Sequence, residues 1–206
     1  MRGHTQPPEH KALRVLVVYA HPLETSFVAA AHALVVETLK KRAHQVDDLD
    51  LYAEKFDPCL SREQMLNYVD GSRNAREVIA YVDRLRAAEA LVLVFPVWFD
   101  GLPAILHGYF QRVFLPGVAV TIDEGGLFHR NLRNLKRMAS VCAYGENRPD
   151  VVKKGDPPRR FIRDNIGALI EPKGRFEYFA LYDMNFSTPA RRAAFLRRVA
   201  IAFEAW

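Results

Sequence analysis

The sequence predicts an α/β fold, a three-layer sandwich in which helices cover both faces of a five-stranded parallel sheet. Three observations support this prediction. Apolar runs of strand length alternate with segments whose apolar residues recur at helical spacing. The connections between these segments are short. The run LVLVF at residues 91–95 has no alternation of polar and apolar residues, which is typical of a strand buried on both faces of a parallel sheet.

The first unit is a strand, a polar turn and a helix. The segment at residues 13–19 is apolar and β-branched, which favours a strand. After the turn, apolar residues recur at helical spacing from Phe27 to Leu39, and the basic residues 40–42 suit a helix C-terminus. The more polar segment 45–51 predicts a second strand near an edge of the sheet and completes a βαβ unit.

Two helices are predicted before the central strand. Ser61 and Gln64 have the spacing of a capping box, so a short helix should begin there. A longer helix follows and leads to the strand at residues 91–95, which Pro96 is expected to end. Pro103 suits the first turn of the next helix, because its missing N–H is not needed there. The apolar stripe of the longer helix consists of Ala75, Val78, Ile79, Val82 and Leu85.

The middle of the second half contains a long connection, a strand and a helix. Residues 123–134 are polar and contain glycine, which predicts a loop over the surface. The apolar run at residues 137–143 predicts a fourth strand. Residues 158–170 are expected to form one helix, since their apolar residues recur on one face.

A fifth strand and a closing helix complete the predicted fold. The strand covers residues 175–181. The helix should begin at Thr188 and Pro189, a cap followed by a first-turn proline, and should present an apolar stripe as far as Trp206. Among doubly wound sheets of five strands, this alternation favours the order 2-1-3-4-5, counted along the chain.

Composition narrows the class of protein. The chain has 206 residues, of which 50% are hydrophobic, enough for one sizeable core. The net charge of +5 would suit nucleic acid if the basic residues were clustered. The arginine pairs are instead spread over several segments, which favours solvated helix faces and attraction of anionic small molecules. No nucleic-acid partner is expected.

The cysteines and the termini point to a cytoplasmic protein. Cys59 and Cys142 are far apart and lack the spacing of metal ligands, so neither a disulfide framework nor a metal site is expected. No apolar run approaches membrane-spanning length. Residues 1–12 lack the apolar centre of a signal peptide and are interpreted as a disordered leader.

The predicted strand order brings three loops to one edge of the sheet. These loops follow the first, third and fourth strands and begin at His21, Pro96 and Tyr144. In open α/β sheets ligands bind at the carboxyl ends of the strands, where the strand order reverses. The order 2-1-3-4-5 places that point between the first and third strands. We therefore expect one crevice bordered by all three loops.

The residue types in these loops suit a phosphorylated aromatic ligand. The hydroxyls of Thr25 and Ser26, with the N–H groups at the start of the following helix, suit a phosphate. The rings of Trp98 and Phe99 suit a flat heterocycle. Flavin is the natural candidate for both halves of the crevice.

Each loop also has a simpler interpretation. His21 can be a turn residue, the hydroxyls can be helix caps, and the two rings can belong to the core. Their convergence on one edge favours the binding site. The sequence contains no GxGxxG after a strand, no GxxxxGK[ST], no GxSxG and no HExxH. These absences argue against a dinucleotide Rossmann site, a phosphate loop, an α/β-hydrolase and a zinc peptidase.

Two segments resemble a known family. VYAHPLETSF at residues 18–27 is similar to the A-H-P-x-x-x-S-F segment of the flavodoxin-like NAD(P)H:quinone oxidoreductases, the DT-diaphorase family and its bacterial relatives. FPVWFDGLPAILHGYFQRVF at residues 95–114 is similar to the family's F-P-x-W-W-x-G-x-P-A-x-L-K-G-W-x-D-R-V-F block. Two long motifs in the same order are a specific signal, and the resemblance covers roughly residues 14–145.

The resemblance implies a homodimeric flavoenzyme that passes hydride from NAD(P)H to a quinone or similar flat acceptor by a ping-pong mechanism. It leaves FMN and FAD as alternative cofactors, and it implies that residues 13–206 are a flavodoxin-like flavin-binding domain. The residues it assigns to the flavin are His21, Thr25 and Phe27, with Ser26 beside them, then Pro96, Val97, Trp98 and Phe99, and finally Ala143, Tyr144 and Gly145.

Departures from the family pattern leave a second interpretation open. Asp100 stands where the family usually has an aromatic residue or glycine, and a carboxylate beside the ring disfavours anionic reduced flavin unless it points to solvent. CAYG at residues 142–145 replaces the family's Thr-Thr-Gly-Gly loop. The Tyr and His that assist hydride transfer in the family's animal enzymes have no clear counterpart at residues 146–156, so Tyr144 is the candidate catalytic residue. The alternative is a flavin-binding regulatory or accessory subunit, for example of a potassium-efflux system, with residual reductase activity.

Overall fold

The computed structural model describes residues 11–171 and 174–206, and residues 1–10 of the predicted leader lie outside these ranges. Five of the strands form one parallel sheet in the order β2-β1-β3-β6-β7, and β4 and β5 form a separate hairpin. With the hairpin left out of the count, the predicted order 2-1-3-4-5 is confirmed. The strands are β1 (Arg14–Tyr19), β2 (Gln45–Asp50), β3 (Ala90–Val97), β4 (Val120–Ile122), β5 (Phe128–Arg130), β6 (Arg137–Tyr144) and β7 (Arg175–Leu181).

Helices cover both faces of the sheet, as predicted. They are α1 (Phe27–Lys41), α2 (Arg62–Leu66), α3 (Ile79–Ala87), α4 (Ala104–Val113), α5 (Arg148–Lys153), α6 (Pro157–Phe161) and α7 (Pro189–Glu204). α1 and α7 pack on one face, and α3 and α4 pack on the other, so each face has its own hydrophobic core. None of the helices in the described ranges combines the length and the apolarity needed to cross a membrane.

β3 lies at the centre of the sheet, and all its residues are buried. Leu91 and Leu93 belong to the core beneath α3 and α4, whereas Val92 and Val94 belong to the core beneath α1 and α7. Because successive side chains of a strand point to opposite faces, an uninterrupted apolar run is what a doubly covered strand requires.

Pro96 does not end β3, so that prediction is wrong. Pro96 pairs with Ala143 of β6, and the strand continues to Val97. The N–H of Ala20 donates to the carbonyl of Val94, so the backbone groups of Val94 and of Pro96 face the β1 side. The strand pairing of β1 stops at the level of Val94. The missing N–H of Pro96 therefore removes no ladder bond.

The predicted loop at residues 123–134 is partly a β-hairpin. β4 and β5 pair antiparallel on either side of a short turn. Asp123 holds this turn, because its Oδ1 accepts hydrogen bonds from the N–H groups of Gly125 and Leu127, both at 2.9 Å. Polar and glycine residues, which suggested an unpaired loop, are in fact the residues of the turn and its borders.

Residues 158–170 do not form one α-helix, contrary to the prediction. α6 ends at Phe161 and is followed by a π-helical turn, Ile162–Ile166, and a 3-10 turn, Gly167–Leu169. The wide turn keeps both isoleucines at its ends in the core. A glycine directly after it weakens any continuation of an α-helix by about 1 kcal/mol.

The predicted caps are confirmed. Oγ of Ser61 accepts from the N–H of Gln64 at 2.9 Å, and Oγ1 of Thr188 accepts from an N–H three residues further on at 3.2 Å. Gln64 does not complete a capping box, because its amide donates to the carbonyls of Asn74 and Arg112 instead. The capping residue can therefore be predicted from sequence, whereas the hydrogen-bond partners of the Gln64 side chain are set by tertiary contacts.

Candidate functional site

Three loops leave the carboxyl ends of β1, β3 and β6, which are adjacent in the sheet. The rings of His21, in the first loop, and Trp98, in the second, lie with centroids 5.7 Å apart. The third loop begins at Gly145, directly after β6. The predicted convergence of the three loops on one edge is confirmed.

The first loop leads into the N-terminus of α1. Oγ of Ser26 accepts from the N–H of Ala29 at 3.0 Å, so Ser26 is the N-cap of this helix. Thr25 is exposed beside it and Phe27 is half-buried, with its ring 5.8 Å from that of Phe195. The cap satisfies only one of the donors of the first turn, and the remaining N–H groups and the helix dipole suit an anion.

His21 has a defined role in the first loop. Its Nδ1 accepts a hydrogen bond from the N–H of Leu23 at 3.0 Å, which requires Nδ1 to be unprotonated. Partial burial lowers the pKa of His21, so the neutral form prevails at neutral pH. In that form Nε2 carries the proton and is a donor for an oxygen of a ligand.

The second loop is a strained two-residue turn. The N–H of Trp98 donates to the carbonyl of Gly101 at 3.1 Å, and the N–H of Gly101 donates to the carbonyl of Trp98 at 2.9 Å. Phe99 and Asp100 between them both have positive φ, 49° and 54°, a region that non-glycine residues rarely occupy. Phe99 is fully exposed and Trp98 is 42% exposed. The simpler interpretation of these rings as core residues is therefore wrong.

A cavity of about 450 Å³ lies between the second and third loops. This volume falls within the range of roughly 300–1,000 Å³ that is usual for small-molecule sites. A Cβ on Gly145 would come within 3.2 Å of the Asn185 amide, so the glycine leaves space at the cavity wall. The lining residues are Val97, Phe99, Asp100, Tyr144, Gly145, Glu146, Lys154 and Asn185.

Lys154 joins the second and third loops. Its Nζ donates to Asp100 at 2.9 Å and to Glu146 at 2.6 Å. These hydrogen bonds raise the pKa of Lys154, and the bond to Glu146 has the largest effect. Lys154 therefore remains charged. The carboxylate of Asp100 is thus paired. Sequence reasoning missed Lys154, because it lies 54 residues from Asp100 along the chain and belongs to no motif.

Tyr144 does not present its hydroxyl to the cavity as a free group. The residue is 1% exposed, and the hydroxyl lies 2.6 Å from both Asp156 and the Tyr178 hydroxyl. Burial raises the pKa of Tyr144. This geometry argues against the predicted catalytic role of its side chain. Ala143 is also buried, in the core on the opposite face, so of the predicted third-loop residues only Gly145 is exposed.

Comparison with known proteins identifies a family and several relatives that share this architecture. Residues 13–164 match a family model described as the flavodoxin-like fold. NAD(P)H dehydrogenase [quinone] 1 of Rattus norvegicus is 37% identical over 152 residues, which is 64% of this chain and 54% of that protein. A ribosyldihydronicotinamide dehydrogenase-like protein of Penicillium crustosum is 30% identical over 174 residues, 77% of this chain and 64% of that protein. The chain thus spans little more than half the length of such curated relatives.

Solved structures agree over nearly the whole chain. Smu.1420 of Streptococcus mutans superposes with a TM-score of 0.81 at 26% identity and covers 94% of this chain and 100% of its own. An NAD(P)H:quinone oxidoreductase of Methanothermobacter marburgensis also gives 0.81, at 23% identity, with 94% and 98% covered, which is a likeness of fold. The match of the family model to most of the chain, on the strand order and loops described above, shows that this protein belongs to the flavodoxin-like family.

Proposed function

We propose that the protein is a flavin-dependent oxidoreductase that takes hydride from NAD(P)H and passes two electrons to a quinone or a similar flat acceptor. The observation that carries this proposal is the cavity between the second and third loops, with aromatic rings and a paired lysine at its border. The name of the rat relative points to the same chemistry, and the name of the fungal relative points to a dehydrogenase of a reduced nicotinamide.

The residues present suit a flavin. The start of α1, with the exposed Thr25, the N-cap Ser26 and the Nε2 donor of His21, would receive the phosphate side of the cofactor. The exposed rings of Trp98 and Phe99 would cover its ring system. A bound flavin, FMN or FAD, supplies the hydride and electron transfer. The protein supplies position, polarity and exclusion of water.

The third loop completes the proposed site through its backbone and one cation. Backbone N–H groups of the loop that follows β6 would donate to the polar edge of the ring. The ammonium of Lys154 pairs with Asp100 and would also offset negative charge that develops in the cavity. Neither contribution needs the Tyr144 hydroxyl, which is committed to Asp156 and Tyr178.

The test consists of three measurements on the purified protein. We expect it to retain added FMN or FAD, to be bleached by NADPH or NADH, and to reduce a benzoquinone with parallel reciprocal plots, as expected when two substrates use one site in turn. A protein that retains neither flavin would overturn the proposal. Intersecting plots would refute the ping-pong mechanism alone.

A flavin-binding regulatory or accessory subunit remains the second candidate. It is favoured by one observation, the replacement of the third loop by a segment whose only tyrosine is buried and hydrogen-bonded. A yellow protein that NAD(P)H reduces only far below catalytic rates would support this candidate.

The proposed active form is a homodimer. α2 and the residues after it expose Leu66 and Val69, which are 67% and 77% accessible, and exposed apolar side chains close together in one segment favour an interface. Light scattering coupled to size exclusion is expected to give twice the mass of the chain. The monomer mass at working concentration would contradict this expectation.

A further inference from the structure

β7 is an edge strand of the sheet and pairs only with β6 among the described residues. The N–H groups of Arg175 and Asp183 donate to the β6 side, to Lys136 at 3.1 Å and Glu146 at 2.7 Å. The N–H and C=O of one residue point the same way, and the direction alternates along a strand. The backbone groups of the alternate residues, Phe176, Tyr178 and Ala180, therefore point outward.

Positive charge flanks this edge on both faces of the sheet. A cavity of about 600 Å³ lies along residues 178–181, the C-terminal part of β7, and shares no lining residue with the cavity of the candidate site. Arg191 and Arg198 border it from α7, and Arg148 and Arg159 border it from α5 and α6. No carboxylate belongs to its lining.

The arginines are largely uncommitted to acidic partners. Arg191 lies 3.5 Å from the carboxylate of Asp183. The other three make no ion pair with the residues that the structure describes, and two of them sit over aromatic rings. The Arg159 guanidinium is 5.3 Å from the Tyr178 ring centre, and that of Arg198 is 5.2 Å from its neighbouring phenylalanine. Such guanidinium groups are held in place and still available to a carboxylate.

We propose that the open edge of β7 binds an extended acidic segment of a partner protein, which adds to the sheet as a further strand. The outward backbone groups would give the main-chain hydrogen bonds of strand addition. Successive side chains of the added strand point to opposite faces of the sheet. Arginines border the edge on each of these faces. A run of acidic residues, rather than an alternating pattern, fits this arrangement.

The charge argues against a second copy of this chain at the same edge. Edge-to-edge pairing of two copies would bring the four arginines of one chain against the four of the other. Like charges at a strand edge are a common means by which proteins prevent such pairing. The same charges attract an acidic strand and make its binding dependent on salt.

The experiment uses the full chain and a labelled heptapeptide EEVEEVE, followed by fluorescence anisotropy at low salt. We expect saturable binding that weakens with added salt. The same peptide with N-methyl groups on alternate residues, in either register, keeps its charge but loses main-chain donors. Its affinity is expected to fall at least about tenfold in the register that blocks pairing. Equal affinity of all three peptides would overturn strand addition.

Matched variants test the arginines. Arg198→Glu on one face and Arg148→Glu on the other are each expected to weaken binding about tenfold or more. Arg197→Glu, exposed on α7 but outside the cavity, changes the net charge equally and should alter affinity by no more than about twofold. Circular dichroism verifies that each variant is folded, and the two faces give independent tests. Equal loss in all three variants, or binding of phosphatidylserine vesicles without binding of the peptide, would overturn the proposal.

Discussion

At the scale of single residues, the ion pairs of Lys154 change the meaning of Asp100. The sequence alone presents Asp100 as a carboxylate beside an aromatic loop, an unfavourable neighbour for a reduced flavin. The structure pairs it with Lys154, which also holds Glu146. His21, Ser26 and Trp98 could be found by sequence reasoning because they lie in the loops that follow β1 and β3. Lys154 was not, because only the fold brings it to the cavity.

Replacement of Lys154 tests its place in the proposed site. Lys154→Met removes the cation but keeps the length of the side chain, and it leaves two carboxylates unpaired at the cavity. We expect flavin reduction by NAD(P)H to slow about tenfold, less than the roughly 100- to 1,000-fold effect of losing a fully enclosed donor, with a more negative flavin potential. Stopped-flow absorbance and potentiometry measure both.

Lys153→Met is the matched control for this experiment. The neighbouring lysine is exposed and makes no ion pair within the described ranges of the chain. Its replacement should leave both the rate and the potential unchanged. An unaltered potential in the Lys154 variant would show that its charge does not act on the cofactor.

Tyr144→Phe separates a catalytic role of this tyrosine from a structural one. Removal of the hydroxyl leaves Asp156 and Tyr178 without their shared partner in a buried place. The free energy of unfolding should fall by about 1–3 kcal/mol, while kcat/KM should change by less than about threefold. Urea denaturation and steady-state kinetics give the two numbers.

Tyr52→Phe is the comparison for that variant, since the Tyr52 hydroxyl has no hydrogen-bond partner in the described part of the chain and is half-buried. Its effect on stability should be small. A drop in kcat/KM of Tyr144→Phe by a factor of 100 or so, without loss of stability, would restore the catalytic assignment.

At the scale of elements, α4 shows how a sequence motif combines function and packing. Near the start of the motif, Phe99 lines the cavity and Trp98 lies against His21, but the later residues of the motif serve the fold. Arg112, 5% exposed, donates to Gln64 at 2.9 Å and to Glu77 at 2.5 Å. These bonds fasten α2 and the turn before α3 to α4. Resemblance alone does not separate the two kinds of residue.

Gly108 is required by the close approach of α4 to the segment before α2. A Cβ at this position would come within 2.3 Å of the Pro58 carbonyl oxygen and 2.5 Å of its Cα. Gly108→Ala normally favours a helix, but here the clash is with backbone, and we expect a loss of about 1–3 kcal/mol of unfolding free energy. Gly71→Ala, with no atom within 4 Å of the added Cβ, is the control for urea denaturation.

A Gly108→Ala variant at least as stable as the parent would mean that the segment at Pro58 moves away from the added Cβ without any loss of unfolding free energy. The comparison with Gly71→Ala is needed because any glycine replacement also reduces the freedom of the unfolded chain. Only the difference between the two variants reports the contact.

Element prediction from sequence succeeded where local chemistry decides the structure. The caps at Ser61 and Thr188 and the five strands of the sheet follow from capping groups and apolar periodicity. The hairpin around Asp123 and the irregular turns after Phe161 were missed. Each strand of the hairpin has only three residues, too few for alternation to be recognised, and the turns are set by contact with the core, so neither leaves a periodic signal.

At the scale of the whole molecule, β3 couples the two cores. Neighbouring residues of this strand belong to different cores. Leu93 lies in the core beneath α3 and α4, Val94 lies in the core beneath α1 and α7, and both are fully buried. The strand order was predictable because the number of strands and the alternation with helices allow few doubly wound arrangements. The grouping of arginines along the edge strand β7 was not predictable, since these arginines come from three separate helices.

Leu93→Ala and Val94→Ala test whether the layers unfold together. We expect losses of about 2–5 kcal/mol for the leucine and about 2 kcal/mol for the valine, each in one cooperative transition, because the two cores share the sheet. Far-ultraviolet circular dichroism and tryptophan fluorescence during urea denaturation should coincide. Ile201→Ala, at an exposed position of α7, should change the midpoint little. Two separate transitions in either core variant would show that the layers are independent.

The turn at Phe99 and Asp100 reveals a compromise between durability and activity. A tight turn in which both middle residues have positive φ is best served by asparagine and glycine, and such a pair would relieve backbone strain that is typically about 1–3 kcal/mol per residue. It would also strip the crevice of an aromatic surface and of the carboxylate that anchors Lys154. Engineering this loop for heat resistance would therefore be expected to select against side chains on which the proposed site depends.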